Sequence, residues 1–272
     1  MVENKLAVFG YPIAHSRSPG IHHLFARQSG IELSYERILV QEGEFLTVAL
    51  EFIESGGIGF NVTLPCKGDA WEFADQSSPS ANRCKAVNTV SIDSEGLTFG
   101  NNTDGPGLVR DLVDNLGWDI ADKRVLVLGA GGAVRGVLWD LLQASPRSIH
   151  LYNRTASKAL DLENQMKDDR LVSTEADDLE GMYDLIINGT SAGLKAEVPD
   201  LPVRILGPNS RCYDMVYGPS VTSFNAWCLE RAGCEVADGL GMLVEQAALS
   251  FEIWFSTIPG TKEVISSLRK SL

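Results

Sequence analysis

Cations are short in this chain: 23 Lys and Arg stand against 36 Asp and Glu, a formal net charge of -13. Nucleic acid and anionic membrane surfaces need a basic face, so that balance disfavours both as partners. A small anion can still be held by a local basic site, because salt screens distant charges. Cysteine is scarce and scattered. Cys66, Cys84, Cys212, Cys228 and Cys234 form no C-x-x-C pair and leave one over, which points to reduced, structural thiols and a cytoplasmic setting. His15, His22, His23 and His150 have no metal-ligand spacing, so no metal is expected. No apolar run approaches the ~18 residues of a membrane span, and no signal-peptide h-region precedes the apolar stretch 6–9. A G-x-S-x-G elbow, a Walker loop and a Cys/His nucleophile pair are missing too.

What remains is an ordinary globular composition: 272 residues, 44% hydrophobic, 22% charged, with 26 glycines. That length fits one large or two modest domains. Short apolar runs alternate with helical patterns from end to end, the signature of an α/β fold with mainly parallel strands. Strands are expected at 5–9, 35–40, 57–63 and 86–92, the last folding back through a turn at 93–96 to 97–101. A helix with Ser18 as N-cap and Pro19 at its first position should stop at Gly30. After a helix that ends near Gly117, residues 124–128, 129–132, 133–142 and 148–152 read as strand, glycine loop, helix and strand. Further strands fit 183–187 and 211–216, and 239–255 reads as a long helix. Two α/β domains follow: 1–104 plus 239–272, and a Rossmann-like doubly wound parallel sheet over 105–238 that binds a dinucleotide.

Gly129, Ala130, Gly131, Gly132 and Ala133 leave a strand and open a helix, where glycine permits a tight turn and close approach to a pyrophosphate. Val134 occupies the sixth position, so the G-x-G-x-x-G pattern is incomplete. An NAD site would place a carboxylate at the end of the next strand. Asn153, Arg154 and Thr155 stand there instead, with Lys158 one turn on, and they suit the 2′-phosphate of NADP.

In Asn61-Val62-Thr63-Leu64-Pro65-Cys66-Lys67, an extended chain puts Asn61 and Thr63 on one face. Pro65 fits the first turn of a following helix. Lys67 then sits where the helix dipole disfavours a cation and eases proton loss, an effect that a nearby carboxylate would oppose. A solvated surface lysine is the alternative. The residues alone favour Asp104 as an N-cap of the helix through Leu108 and Leu112. Ser16 and Ser18, flanking Arg17 before a helix, are placed to hold a carboxylate or simply to cap. Asn88 and Gln246 lie on apolar elements, either buried and hydrogen-bonded or part of a site.

Together these segments resemble the NADP-dependent shikimate dehydrogenase family over essentially the whole chain. FGYPIAHSRSP (9–19), NVTLPCK (61–67), AVNT (86–89), NNTDG (101–105), GAGGA (129–133), NRT (153–155), YDMVY (213–217) and DGLGMLVEQ (238–246) follow in order. The resemblance implies reversible NADPH-dependent reduction of 3-dehydroshikimate to shikimate in chorismate and aromatic amino acid biosynthesis, in a cleft between the two domains. It implies Lys67 and Asp104 as the catalytic pair. It also implies Ser16, Ser18, Asn61, Thr63, Asn88, Tyr217 and Gln246 as further substrate-binding residues. Met215 and Gly239 match positions near the nicotinamide, beside the glycine loop, Asn153, Arg154, Thr155 and Lys158. The expected partner is the small-molecule substrate alone, bound by a monomer or homodimer. A quinate/shikimate dehydrogenase with relaxed cofactor use, or a non-catalytic NADP-binding sensor on the same scaffold, are the alternatives. Tyr11 stands where the family usually has Asn, Pro79 where it often has an acidic residue, Lys85 where it has Gly, and Asn101 where it has Asp. Lys85 is expected to alter the local backbone or to add positive charge.

Overall fold

The computed structural model describes residues 4–190 and 201–272. The chain divides into two compact units, Met1–Gly107 with Val244–Ser266, and Leu108–Leu243 with Ser267–Leu272.

In the first unit β1 (Asn4–Gly10) is buried almost throughout, as its continuous apolar run Leu6–Phe9 requires of a strand covered on both faces. It pairs in parallel with β2 (Leu33–Leu39) and β3 (Gly57–Val62). The crossovers are helices α1 (Ser18–Ser29) and α2 (Phe45–Glu54). Phe9 stacks on Phe60 with centroids 4.4 Å apart, and Phe45 and Phe52 meet both rings edge-on. α3 (Lys67–Phe73), the short β4 (Gln76–Ser77) and α4 (Pro79–Cys84) follow.

The antiparallel hairpin forms as expected between β5 (Thr89–Ile92) and β6 (Thr98–Asn101). Asp93 Oδ1 accepts from the N–H groups of Glu95 and Leu97 to close its turn. β5 also pairs antiparallel with β3, and β4 runs parallel to β6, so the sheet order is β2-β1-β3-β5-β6-β4 and the sheet is mixed.

α5 (Asp104–Arg110) continues as a π-helical turn, Asp111–Asn115, into the second unit. There β7 (Arg124–Leu128), β8 (Ser148–Tyr152), β9 (Leu171–Thr174), β10 (Leu185–Asn188), β11 (Arg211–Asp214) and β12 (Glu235–Asp238) make a sheet ordered β12-β11-β10-β7-β8-β9. Every pairing is parallel. Counted within the unit, that is the doubly wound order 3-2-1-4-5-6 of dinucleotide-binding folds. Helices α6 (Gly132–Gln143), α7 (Ala156–Met166) and α8 (Ser223–Ala232) connect the strands.

α9 (Leu240–Phe255) carries the chain back, and its Trp254 donates from Nε1 to the Val90 carbonyl in the first unit. α10 (Lys262–Ser271) ends the chain. Its last residues group with the second unit, where Arg269 forks onto the Asp238 carboxylate, although the sequence places the whole tail with the first.

Three local expectations change. Arg17, not Ser18, occupies the N-cap of α1, and Ser18 begins the helix. Pro65 precedes α3 rather than opening it; the helix starts at Lys67, after a cis Leu64–Pro65 bond. Lys85 ends α4 at φ 48°, the left-handed region that glycine favours. Lys85 thus takes a backbone conformation open to glycine at no cost, and its exposed amine lies 5.8 Å from the Trp71 ring centroid.

Candidate active site

Within the first unit the termini of α3 and α5 meet. Lys67, first residue of α3, donates from Nζ to Asp104 Oδ2 at 2.5 Å. The two side chains are 18% and 12% exposed, enough for a small molecule to reach them. Asp104 opens α5, as an N-terminal acid should. The N-cap reading fails nonetheless, because its carboxylate goes to Lys67 and Asn88, while Asn102 Oδ1 accepts the Asp104 N–H at 3.0 Å.

Asn88 is buried at the hub. Its Oδ1 accepts the Thr103 N–H at 2.8 Å, and its Nδ2 donates to Asp104 Oδ1 at 2.9 Å. A backbone N–H can only donate and a carboxylate only accept, so these two partners fix which way the amide points. Nδ2 also lies 2.8 Å from Thr103 Oγ1 and 3.3 Å from Gln246 Oε1. Gln246 on α9 comes this close because residue 107 is glycine: a Cβ there would lie 2.7 Å from the Gln246 backbone nitrogen.

Asn61, at the buried end of β3, is engaged on both sides of its amide. Oδ1 accepts from Tyr35 Oη at 2.6 Å and His22 Nε2 at 3.2 Å, and Nδ2 faces the Asn88 carbonyl, Thr89 Oγ1 and Ser250 Oγ at 3.0 to 3.1 Å. Burial pushes the His22 imidazole down to about 3, so it is neutral, with Nε2 carrying the proton donated to Asn61. Burial likewise raises the Tyr35 hydroxyl far above its ordinary range. Thr63 is half-buried, and its backbone N–H donates to the Phe9 carbonyl. Ser16 and Ser18 lie at the start of α1 with their hydroxyls 3.3 Å apart, and Ser16 Oγ accepts the Ser18 N–H.

The second unit gathers the remaining predicted residues. Gly129 leaves β7 at φ 105°, and a Cβ there would press on the Gly189 backbone. Among the described residues α6 then starts with no side-chain cap and no acid in its first turn, and none of them lies within 4 Å of where a Gly131 Cβ would be. Free N–H groups, a positive dipole end and open space suit a pyrophosphate.

The Gly129 N–H donates to the Tyr152 carbonyl at 2.7 Å, so the glycine loop and the segment Asn153, Arg154, Thr155 sit side by side at the carboxyl ends of β7 and β8. Arg154, Thr155 and Lys158 are exposed there, while Asn153 Nδ2 ties back to the Thr155 carbonyl. β7 lies between β8 and β10, where the strand order reverses and ligands of such sheets bind. At the neighbouring end of β11, the Met215 N–H donates to the Asn188 carbonyl. Gly239 is required because a Cβ would collide with the Met215 carbonyl. Tyr217 is half-buried two residues on, in this unit.

Sequence reasoning missed Thr89, Thr103, Ser250, Tyr35 and His22, which bind the amides of Asn61 and Asn88. The available signal was polarity at buried positions: Ser250 lies one turn from Gln246 on an apolar helix, and Thr103 sits beside Asp104. Among the described residues no group of three or more His, Cys, Asp or Glu is arranged to hold a metal ion, and no helix is long and apolar enough to cross a membrane. All five cysteines are buried, as expected of structural thiols.

A doubly wound sheet with an open glycine loop in one unit and a Lys–Asp pair in the other define a dinucleotide-dependent oxidoreductase of two α/β domains. Known sequences and structures give its family. Residues 8–90 match the pattern described as the shikimate dehydrogenase substrate binding domain, 111–196 that of shikimate / quinate 5-dehydrogenase, and 239–269 the shikimate 5'-dehydrogenase C-terminal domain. The chain is 48% identical over 264 residues to the shikimate dehydrogenase (NADP(+)) of Halorhodospira halophila, covering 97% of each chain. Its structure superposes on an Ael1 enzyme from Pseudomonas putida with TM-score 0.93 and 41% identity, over 98% of each chain. It matches the Thermus thermophilus shikimate 5-dehydrogenase in complex with NADP(H) and shikimate with TM-score 0.89 and 34% identity, over 99% of this chain and 100% of that one. The chain belongs to the shikimate dehydrogenase family.

Proposed function

We propose that this chain reversibly reduces 3-dehydroshikimate to shikimate with NADPH, the first unit holding substrate and the second holding the dinucleotide. The observation that carries the reading is the Lys67–Asp104 pair, oriented by Asn88 and partly open to solvent. When bound, the nicotinamide supplies or accepts the hydride. Lys67 passes a proton to the substrate oxygen as negative charge develops on it, then regains one from solvent through its exposed side. Asp104 aims the ammonium and accepts a hydrogen bond from a neighbouring substrate hydroxyl. Ser16 and Ser18 donate to the substrate carboxylate, and Thr63, Asn61, Asn88, Gln246 and Tyr217 orient the ring hydroxyls. Proximity and proton transfer account for most of the rate.

Gly129, Ala130, Gly131, Gly132 and Ala133 would cradle the pyrophosphate, with Asn153, Arg154, Thr155 and Lys158 on the 2′-phosphate and Met215 and Gly239 beside the nicotinamide. The cationic strand end supports NADP over NAD, where a carboxylate would be wanted.

The test is the initial rate, followed by nicotinamide absorbance, for shikimate or quinate with NADP or NAD. Turnover confined to shikimate with NADP is expected. In Lys67→Ala, kcat should fall about 10²- to 10⁴-fold, with both ligands still bound. Comparable quinate or NAD rates would make it the broader dehydrogenase. Tight NADP binding without turnover would leave a sensor.

A further inference from the structure

We propose that Arg37 is a positioning residue for recognition of the substrate carboxylate, acting through Ser16; this rests on the reading that Ser16 and Ser18 receive that group. Arg37 stands on β2, paired with Val8 of β1, and its guanidinium reaches the loop between β1 and α1. Both Nε, at 3.0 Å, and Nη2, at 2.7 Å, donate to the Ser16 carbonyl oxygen. The Ser16 N–H donates in turn to the Ile13 carbonyl at 3.0 Å. The main chain of Ser16 is therefore held on both its N–H and its C=O, leaving the hydroxyl as the group that meets a ligand.

That hydroxyl accepts the Ser18 N–H and lies 3.3 Å from the Ser18 hydroxyl. Hydroxyl protons rotate to suit their acceptors, so each serine can donate to one oxygen of the same carboxylate. The spacing survives only while the Ser16 carbonyl stays in place. An arginine fork holds one carbonyl with two donors at fixed angles, which a lysine ammonium on a flexible stem does not reproduce. The guanidinium also places a positive charge within hydrogen-bond distance of the Ser16 carbonyl, a local attraction for a carboxylate.

The experiment compares wild type, Arg37→Ala, Arg37→Lys and Ser16→Ala, using shikimate and its methyl ester with saturating NADP. In Arg37→Ala the shikimate KM should rise about tenfold, the effect of losing charge-assisted hydrogen bonds. Its kcat and NADP KM should stay within about twofold, since neither reports ground-state carboxylate binding. Preference for the acid over the ester should shrink in the same variant, and Arg37→Lys should recover part of it. Equal losses on acid and ester would mean general loop damage and would overturn the proposal. An unchanged shikimate KM in Arg37→Ala, with a raised KM in Ser16→Ala, would overturn the role of Arg37 alone. An unchanged KM in both would remove the carboxylate from these serines and the proposal with it. Should Arg37→Ala fail to fold, Arg37→Lys carries the same comparison.

Discussion

Asn88 donates from Nδ2 to Oδ1 of Asp104 at 2.9 Å, on the carboxylate oxygen opposite the one that Lys67 holds. With one donor on each oxygen, the carboxylate has no freedom to rotate, and the ammonium is aimed with it. A hydrogen bond to a charged group contributes about 1.5–3 kcal/mol. Asn88→Ala should therefore lower kcat about 10- to 100-fold while both catalytic groups remain. Asn88→Asp should be worse at neutral pH, because it sets a second carboxylate against Asp104. Steady-state kinetics on the two variants, beside their urea midpoints, check this order. Wild-type kcat in Asn88→Ala would mean that Lys67 and Asp104 need no help.

The same hub shows how far the sequence is legible. Residues 124–128 and 148–152 are read to the residue, because buried parallel strands are continuous apolar runs. β9 and β12 escape notice because they are the two edges of that sheet, short and mostly half-exposed, with no such run. The hairpin announces itself through Asp93 and Gly96. Lys67, Asp104 and Asn88 are individually ambiguous in the sequence, since a first-turn acid or an exposed lysine is common. Their meaning lies in a contact across 37 positions and another across 16, which no local pattern encodes. The left-handed turn at Lys85 is hidden for a related reason, since nothing local to a lysine signals that φ.

Gly107→Ala tests the approach of α9 to this hub. In an open helix the change would stabilise by about 1 kcal/mol. Here the new Cβ would lie 2.7 Å from the Gln246 nitrogen, 2.8 Å from its Cβ and 2.9 Å from its Cα, and backbone cannot swing aside. The sign should reverse to a loss of about 1–3 kcal/mol, the usual cost of overpacking. Displacing Gln246 should also raise the shikimate KM. Urea unfolding and KM measured on one preparation decide it; a stabilised variant would place the helices farther apart than described.

Arg154→Ala tests the choice of dinucleotide. Arg154 is exposed at the carboxyl end of β8, next to the open glycine loop, so salt partly screens its charge. A fork on a phosphate still contributes enough that the NADP KM should rise about 10- to 100-fold. The NAD KM should hardly move, because NAD lacks the 2′-phosphate. Lys158→Ala, one turn into α7, should show a smaller shift in the same direction. Parallel losses for NADP and NAD would assign Arg154 to folding or to the pyrophosphate instead.

His22 governs the response to acid. Its imidazole is fully buried, stacked on Tyr35 with centroids 4.5 Å apart, and Nε2 donates to Asn61. Nδ1 is buried without a described partner. Desolvation is the main cause that brings it from 6.5 down to about 3; nearby His23 adds a little, and the bond to Asn61 opposes. The folded state thus binds this proton more weakly than the unfolded chain. Between pH 6.5 and 3 the unfolded state takes up a proton that the folded state refuses, so stability falls as pH drops through that window. From pH 7 to pH 5 the loss from this one group is about 2 kcal/mol. His22→Phe keeps a ring against Tyr35 and removes the titration, while Asn61 Oδ1 retains the Tyr35 hydroxyl. Other groups titrate alike in both proteins, so the difference in urea stability between pH 7 and pH 5 should be about 2 kcal/mol smaller in His22→Phe. If wild type and variant lose equal stability, His22 is either hydrated or protonated in the native state, and the buried network around Asn61 is organised differently.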